Sequence, residues 1–239
     1  MSKEYAMSVK FYPAADRGHF DFGWLDTNHT FSFGHYYHPD RTRFGMLRVF
    51  NDDVVAPGEG FGTHPHNDME IISIPLEGTI VHRDSMKHDE ALRPGDVQVM
   101  SAGTGLTHSE FNGSSTEYLK FLQIWIIPNK PGVEPRYDQR SFTLQPDHIT
   151  TVAGPKNGSA PLWINQDAWL SLVKLTAGRD VTYTSHREGN GLFVFQIEGT
   201  SDVNGHVIGR RDAIGFEEAG TITISADTDS YAVIIDVPR

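Results

Sequence analysis

Gly62-Thr63-His64-Pro65-His66-Asn67-Asp68-Met69-Glu70 and, further along, His108-Ser109-Glu110 are the stretches on which the reading of this chain turns. Each holds potential metal ligands two positions apart. Successive strand side chains point to opposite faces, so residues at i and i+2 share a face. Three imidazoles and one carboxylate could therefore converge on one point inside a small barrel, as a metal site requires. Twelve histidines in 239 residues produce roughly 0.6 His-x-His pairs by chance, so His-Pro-His carries little weight alone. Its frame adds the weight: Gly58 before the first pair, Gly78 closing a Leu-Glu-Gly turn, Pro94-Gly95-Asp96 and Ser101-Ala102-Gly103 before the second.

Outward from there, short β-like runs recur at close intervals: Met46 to Phe50, Glu70 to Ile74, Gly78 to Arg83, Val97 to Met100, Tyr118 to Ile127, Trp169 to Leu175, Gly191 to Glu198, Thr221 to Ser225 and Tyr231 to Val237. Helical periodicity is nearly absent. Such runs, punctuated by Gly, Pro, Asn and Asp, read as an all-β sandwich or barrel. Pro128, Pro131, Gly132, Pro135, Pro146, Pro155, Gly158 and Pro161 mark a connection, and the boundary is placed near 145: an N-terminal domain over 1–144 and a C-terminal domain over 145–239. Phe193-Val194-Phe195-Gln196-Ile197-Glu198-Gly199 parallels Ile72-Ser73-Ile74-Pro75-Leu76-Glu77-Gly78, which suggests an internal duplication. The second copy has no His-x-His pair. His186 and His206 stand alone in it and read as structural, so the second barrel is expected to be metal-free.

The runs around His64 and His66, Leu76-Glu77-Gly78-Thr79, His82-Arg83-Asp84-Ser85, Arg93-Pro94-Gly95-Asp96-Val97-Gln98, and Met100 to Gly105 through Glu110 resemble the signature of pirin-like proteins, a branch of the cupin superfamily. The resemblance extends through Gly23-Trp24-Leu25-Asp26, Asn51-Asp52-Asp53, Gln123-Ile124-Trp125-Ile126 and Pro135-Arg136-Tyr137, covering about residues 18 to 142; the last hundred residues match only in outline. It implies an all-β bicupin of two jelly-roll barrels. Against the general cupin pattern, seven residues rather than six separate Glu70 from Gly78, and Ser101 stands where proline is usual. Both departures are pirin-like, and the resemblance implies that Glu110, not Glu70, completes the ligand set. Glu70 is then an outer or core-facing acid.

Composition narrows the function classes. The length and a hydrophobic content of 38% support one large or two modest soluble domains. No run approaches eighteen apolar residues, and the start, Met1-Ser2-Lys3-Glu4-Tyr5, lacks the pattern of an export leader, so a cytoplasmic protein is expected. Zero cysteines exclude disulfides and thiolate zinc sites. A formal charge of -11, from 20 basic against 31 acidic residues, argues against nucleic acid as a partner. Arg41-Thr42-Arg43 and Gly209-Arg210-Arg211 read as solvated charge rather than a stripe.

His64, His66, His108 and Glu110 around one divalent cation leave a net local charge of +1 and, for a six-coordinate ion, two open positions, which suits catalysis. Fe(II) is expected for oxygen chemistry, while the same donors accept Zn, Mn, Co, Ni or Cu. The resemblance implies a quercetin 2,3-dioxygenase-like activity: dioxygen inserted into the central ring of a flavonol, with loss of carbon monoxide. Its partners would be a small aromatic substrate and dioxygen, with no nucleic acid and no membrane, and a duplicated cupin favours a monomer. Glu110 is also the candidate base for the flavonol hydroxyl. Phe31, Phe33, Tyr36, Tyr37, Phe44, Phe61, Phe111 and Trp125 are candidates for an apolar mouth, with Phe61 and Phe111 favoured by their neighbours; His35 and His38 read as loop residues. Two other readings stand beside this one: a pirin-type regulatory, protein-binding module without turnover, and a structural bicupin whose metal only holds strands together.

Overall fold

The computed structural model describes residues 8–218 and 220–239; the Met1 to Tyr5 start lies outside them. Among the described residues all regular structure is β-strand apart from a 3-10 turn at Ala14–Asp16, and no helix is long and apolar enough to cross a membrane. The chain forms two compact units. The strands form two seven-stranded and two four-stranded sheets, stacked as jelly rolls rather than closed into barrels.

The first unit contains Arg17–Thr143 and Ala153–Gln166. Its large sheet runs in the order Arg136–Ser141, Asp96–Ser101, Glu70–Glu77, Leu119–Ile126, Leu47–Val55, Leu25–His29, Gly18–Asp21. The central members are buried on both faces, which is why Ile71, Ile72 and Ile74 form a nearly unbroken apolar run. Its small sheet runs Gly60–His66, Leu106–Asn112, Ile80–Asp84, Asp89–Leu92. Leu25, Val55, Leu119 and Phe121 of the large sheet pack with Ile80 and Leu92 of the small one, and Phe61 closes the layer. This layer forms one end of the interior. The histidines occupy another part of it.

The second unit gathers the described residues up to Asp16, then Leu144–Val152 and Asp167–Arg239. Val9–Tyr12 pairs antiparallel with Ala213–Phe216, so a strand from the beginning of the chain completes this unit. The His148–Pro155 strand begins here, and its last residues, from Ala153, belong to the first unit, pairing in parallel with Leu162–Ile164. The units are thus built from interleaved segments, where the sequence suggests one cut near 145. The reason is backbone pairing: an outer strand must satisfy its N–H and C=O groups, which Val9–Tyr12 does against a strand about two hundred residues on and residues 153–155 do against nearby Leu162–Ile164. The proposed duplication is visible at one turn. Gly78 and Gly199 both adopt left-handed conformations (φ 79° and 81°) directly after the paralleled strands.

Candidate metal centre

His64 and His66 lie on Gly60–His66, an edge strand, which is where Pro65 can stand between them without costing the sheet a ladder hydrogen bond. The neighbouring strand places His108 directly opposite His64 and Leu106 opposite His66. The three imidazoles meet, with ring centroids 4.4 Å (His64–His108), 4.8 Å (His64–His66) and 4.9 Å (His66–His108) apart. A β-bulge follows between His108 and Glu110, so that Glu110 pairs with Phe61. The Glu110 side chain is buried, accepting hydrogen bonds from Ser73 Oγ (3.0 Å) and Gln123 Nε2 (2.8 Å).

Two overlapping groups of donor atoms result, each within 4.8 Å: His64, His66 and His108 in one, and His82, His108 and Glu110 in the other. The three histidines singled out in the sequence are therefore brought together. Glu110 groups with His108 and with His82, which lies directly across from it in the next strand, while lining the same cavity as the trio. His82 is wholly buried and hydrogen-bonded through Nε2 to Asp84 (3.2 Å), which also takes His88 Nδ1 (2.8 Å). Sequence reasoning gave no role to His82 and Asp84, although their i/i+2 spacing was the available signal.

The electrostatics favour ligation. Burial lowers the His66 pKa to about 4, with a smaller push from His64, and burial lowers His108 further, so both rings are neutral at neutral pH. His64 Nδ1 lies 2.8 Å from the Gly62 carbonyl; donating there leaves its Nε2 lone pair free. His66 Nε2 and both His108 nitrogens are buried with no hydrogen-bond partner. Buried polar atoms are rarely left so, and here a cation would satisfy them. The donor set thus fits a divalent metal of imidazole preference.

Around these groups is a cavity of about 220 Å³, lined by Phe33, Phe61 and Trp125 on its apolar side and Asn51, Asp53 and Gln123 on its polar side. Burial raises Glu110 to about 7 against the lowering hydrogen bonds of Ser73 and Gln123, and burial likewise raises Asp53 to about 7 despite its bond from Thr27. Of the other aromatic candidates, Phe31 and Phe44 are core, Tyr37 is exposed, and Phe111 is turned to solvent because it lies one residue from inward-facing Glu110. His38 accepts from the Asp40 N–H, and His35 packs near Phe20, both in the loop roles expected. Glu70 faces the core, accepting from Ser101 Oγ (2.7 Å) and Asn165 Nδ2 (3.0 Å). In the second unit His186 contacts buried Asp236 and stacks on Trp169.

Comparison with known proteins places these features in company. Residues 12–126 match the family model described as Pirin, and 151–237 match the quercetinase C-terminal cupin domain. A quercetin 2,3-dioxygenase of Escherichia coli strain K12 is 42% identical over 226 residues, covering 94% of this chain and 96% of its own. A pirin-like protein of Caulobacter vibrioides is 38% identical over 219 residues, covering 90% and 94%. The crystal structure of the bacterial pirin YhhW from Escherichia coli in complex with nickel(II) superimposes with a TM-score of 0.92 at 41% identity, covering 97% of this chain and 99% of that one.

Proposed function

This chain belongs to the pirin family of cupin proteins, and from that premise we propose that it is a metal-dependent dioxygenase that opens the central ring of a flavonol such as quercetin with dioxygen and releases carbon monoxide. The observation that carries the proposal is the meeting of three histidines, two of which, His66 and His108, bury nitrogens without hydrogen-bond partners, beside a buried carboxyl in an aromatic-walled cavity. His64, His66, His108 and Glu110 are assigned as the ligands of one divalent cation, with Fe(II) as the working ion; the related YhhW was crystallised with nickel(II). A cation bound there supplies Lewis-acid polarisation and charge compensation for adjacent substrate oxygens.

The protein's own groups account for the rest. Glu110, whose carboxyl lines the same cavity as the histidines, takes the proton of the flavonol 3-hydroxyl. Ser73 and Gln123 hold that carboxylate in place by their hydrogen bonds. Phe33, Phe61 and Trp125 clamp the ring by its faces and keep water from it. A cavity of about 220 Å³ is smaller than the usual site for a drug-sized ligand, so only the reacting ring and its oxygens enter, leaving the pendant ring at the mouth. Single chains in the cytoplasm complete the proposal; sedimentation of the loaded protein as a dimer would remove the monomer from it.

The test is an aerobic assay with quercetin in which oxygen uptake, carbon monoxide and bound metal are measured on one sample. Stoichiometric uptake and release are expected in proportion to metal content. Full metal loading with no oxygen consumption would instead favour the regulatory, protein-binding reading.

A further inference from the structure

The histidine cavity is not the largest opening in the first unit. A second cavity of about 800 Å³ shares none of its lining residues, and all of its own belong to that same unit. Three cationic side chains, Lys130, Arg136 and Lys156, line it against one carboxylate, Glu134, in a chain whose formal charge is -11. A local reversal of sign within an acidic protein concentrates anions by focusing the field in a recess.

The recess is also organised. Arg136 lies 3.9 Å from the centroid of the Trp163 ring, donates to the Trp163 carbonyl (2.9 Å), and pairs with Asp138. Its guanidinium is thereby held over the indole. Lys156 places Nζ 4.7 Å from the same ring. Among the described residues neither Lys130 nor Lys156 has a carboxylate within ion-pair distance, so their charge is available, whereas that of Arg136 is shared with Asp138. On another wall Tyr137 carries two stacked imidazoles, His82 (4.6 Å, 29°) and His88 (4.7 Å, 25°), and His88 is the one that lines the cavity. Two unpaired ammonium groups next to planar rings match a ligand that is anionic at one end and flat at the other.

We propose that this cavity is a second binding site, independent of the metal centre, for a small aromatic carboxylate, its carboxylate held by Lys130 and Lys156 and its ring lying against the His88 imidazole and the edge of Trp163. Ring opening of a flavonol yields an aromatic carboxylic acid, so the site takes the chemical class that the proposed reaction releases; the binding itself does not rest on that reaction.

Benzoate is the probe, because it lacks the neighbouring hydroxyls that would chelate a metal. Titration calorimetry on chelator-treated full-length protein is expected to give saturable binding. The exposed pair Lys130→Glu/Lys156→Glu should weaken it at least tenfold while leaving the unfolding midpoint in place, and Trp163→Phe should remove the accompanying change in indole fluorescence. Inorganic phosphate forms the comparison arm, and tighter binding of phosphate than of benzoate overturns the aromatic part of the proposal. Absence of saturable benzoate binding, or binding unchanged in the double variant, overturns the site. The protein used carries no metal, so failure here leaves the dioxygenase assay untouched, and failure of that assay leaves this one intact.

Discussion

Replacing Glu110 by glutamine tests whether burial of this carboxyl costs what its surroundings imply. In the metal-free protein its pKa rises from 4.5 to about 7, chiefly because burial penalises the charged form. The native state therefore holds this proton to higher pH than the unfolded chain does. The stability it contributes is fully present below pH 4.5 and is lost as pH rises through about 7. At about 1.4 kcal/mol for each pH unit, the loss amounts to about 3 kcal/mol. Glutamine has a similar shape and nothing to ionise, so Glu110→Gln should escape it. The assay is urea unfolding of both proteins in chelator at a series of pH values from about 4.5 to 8.5, taking the difference at each pH. Histidines and Asp53 titrate in both proteins, so their effects cancel to first order. The difference should move in favour of the variant by about 3 kcal/mol across the series. A difference that stays flat refutes the reasoning, and so does one that moves the other way. With the cation loaded, the variant should retain much of the metal but lose turnover.

Three other outcomes can be measured. His64→Ala or His108→Ala should lower metal affinity at least tenfold and quercetin turnover with it, as read by equilibrium dialysis and oxygen uptake; a metal-depleted variant that is fully active would end the ligand assignment. Gly199→Ala should destabilise by about 2 kcal/mol or more, since φ is +81° and a Cβ would lie 2.2 Å from the Asp229 carbonyl oxygen; an unchanged unfolding midpoint counts against the reading of this turn. Asp236 accepts from the His186 N–H (2.7 Å), Asn190 Nδ2 (2.7 Å) and Ser185 Oγ (3.2 Å), so Asp236→Ala should cost about 3 kcal/mol in chemical denaturation. A cost below about 0.5 kcal/mol would mean that water replaces the carboxylate at no loss.

The His64 and His66 pair could be read from sequence because its placement depends on short-range rules, whereas His108 joins it through strand pairing. Strand alternation puts His64 and His66 on one face, and flanking Gly and Pro turns delimit the strand. Strands such as Trp169–Leu175 were legible for the same reason, their apolar run matching the structure from end to end. Polar strands were not. Arg136–Ser141 has no fully buried residue and is recognisable only by its pairing with Asp96–Ser101. Nor does local pattern announce Val9–Tyr12 as part of the second unit, because its partner is some two hundred residues away.

What the sequence alone determined was the class of fold, the strands that carry donors, and the type of donor: imidazole and carboxylate in a chain without thiols. Tertiary structure decided how those donors are shared out. A bulge after His108 turns Glu110 towards Ser73, Gln123 and His82, and depth in the interior sets the protonation of His66 and Glu110. Both depend on register and on desolvation by distant segments. A residue's neighbours along the chain specify which face it occupies, whereas its neighbours in space determine whether it is charged and what it can reach.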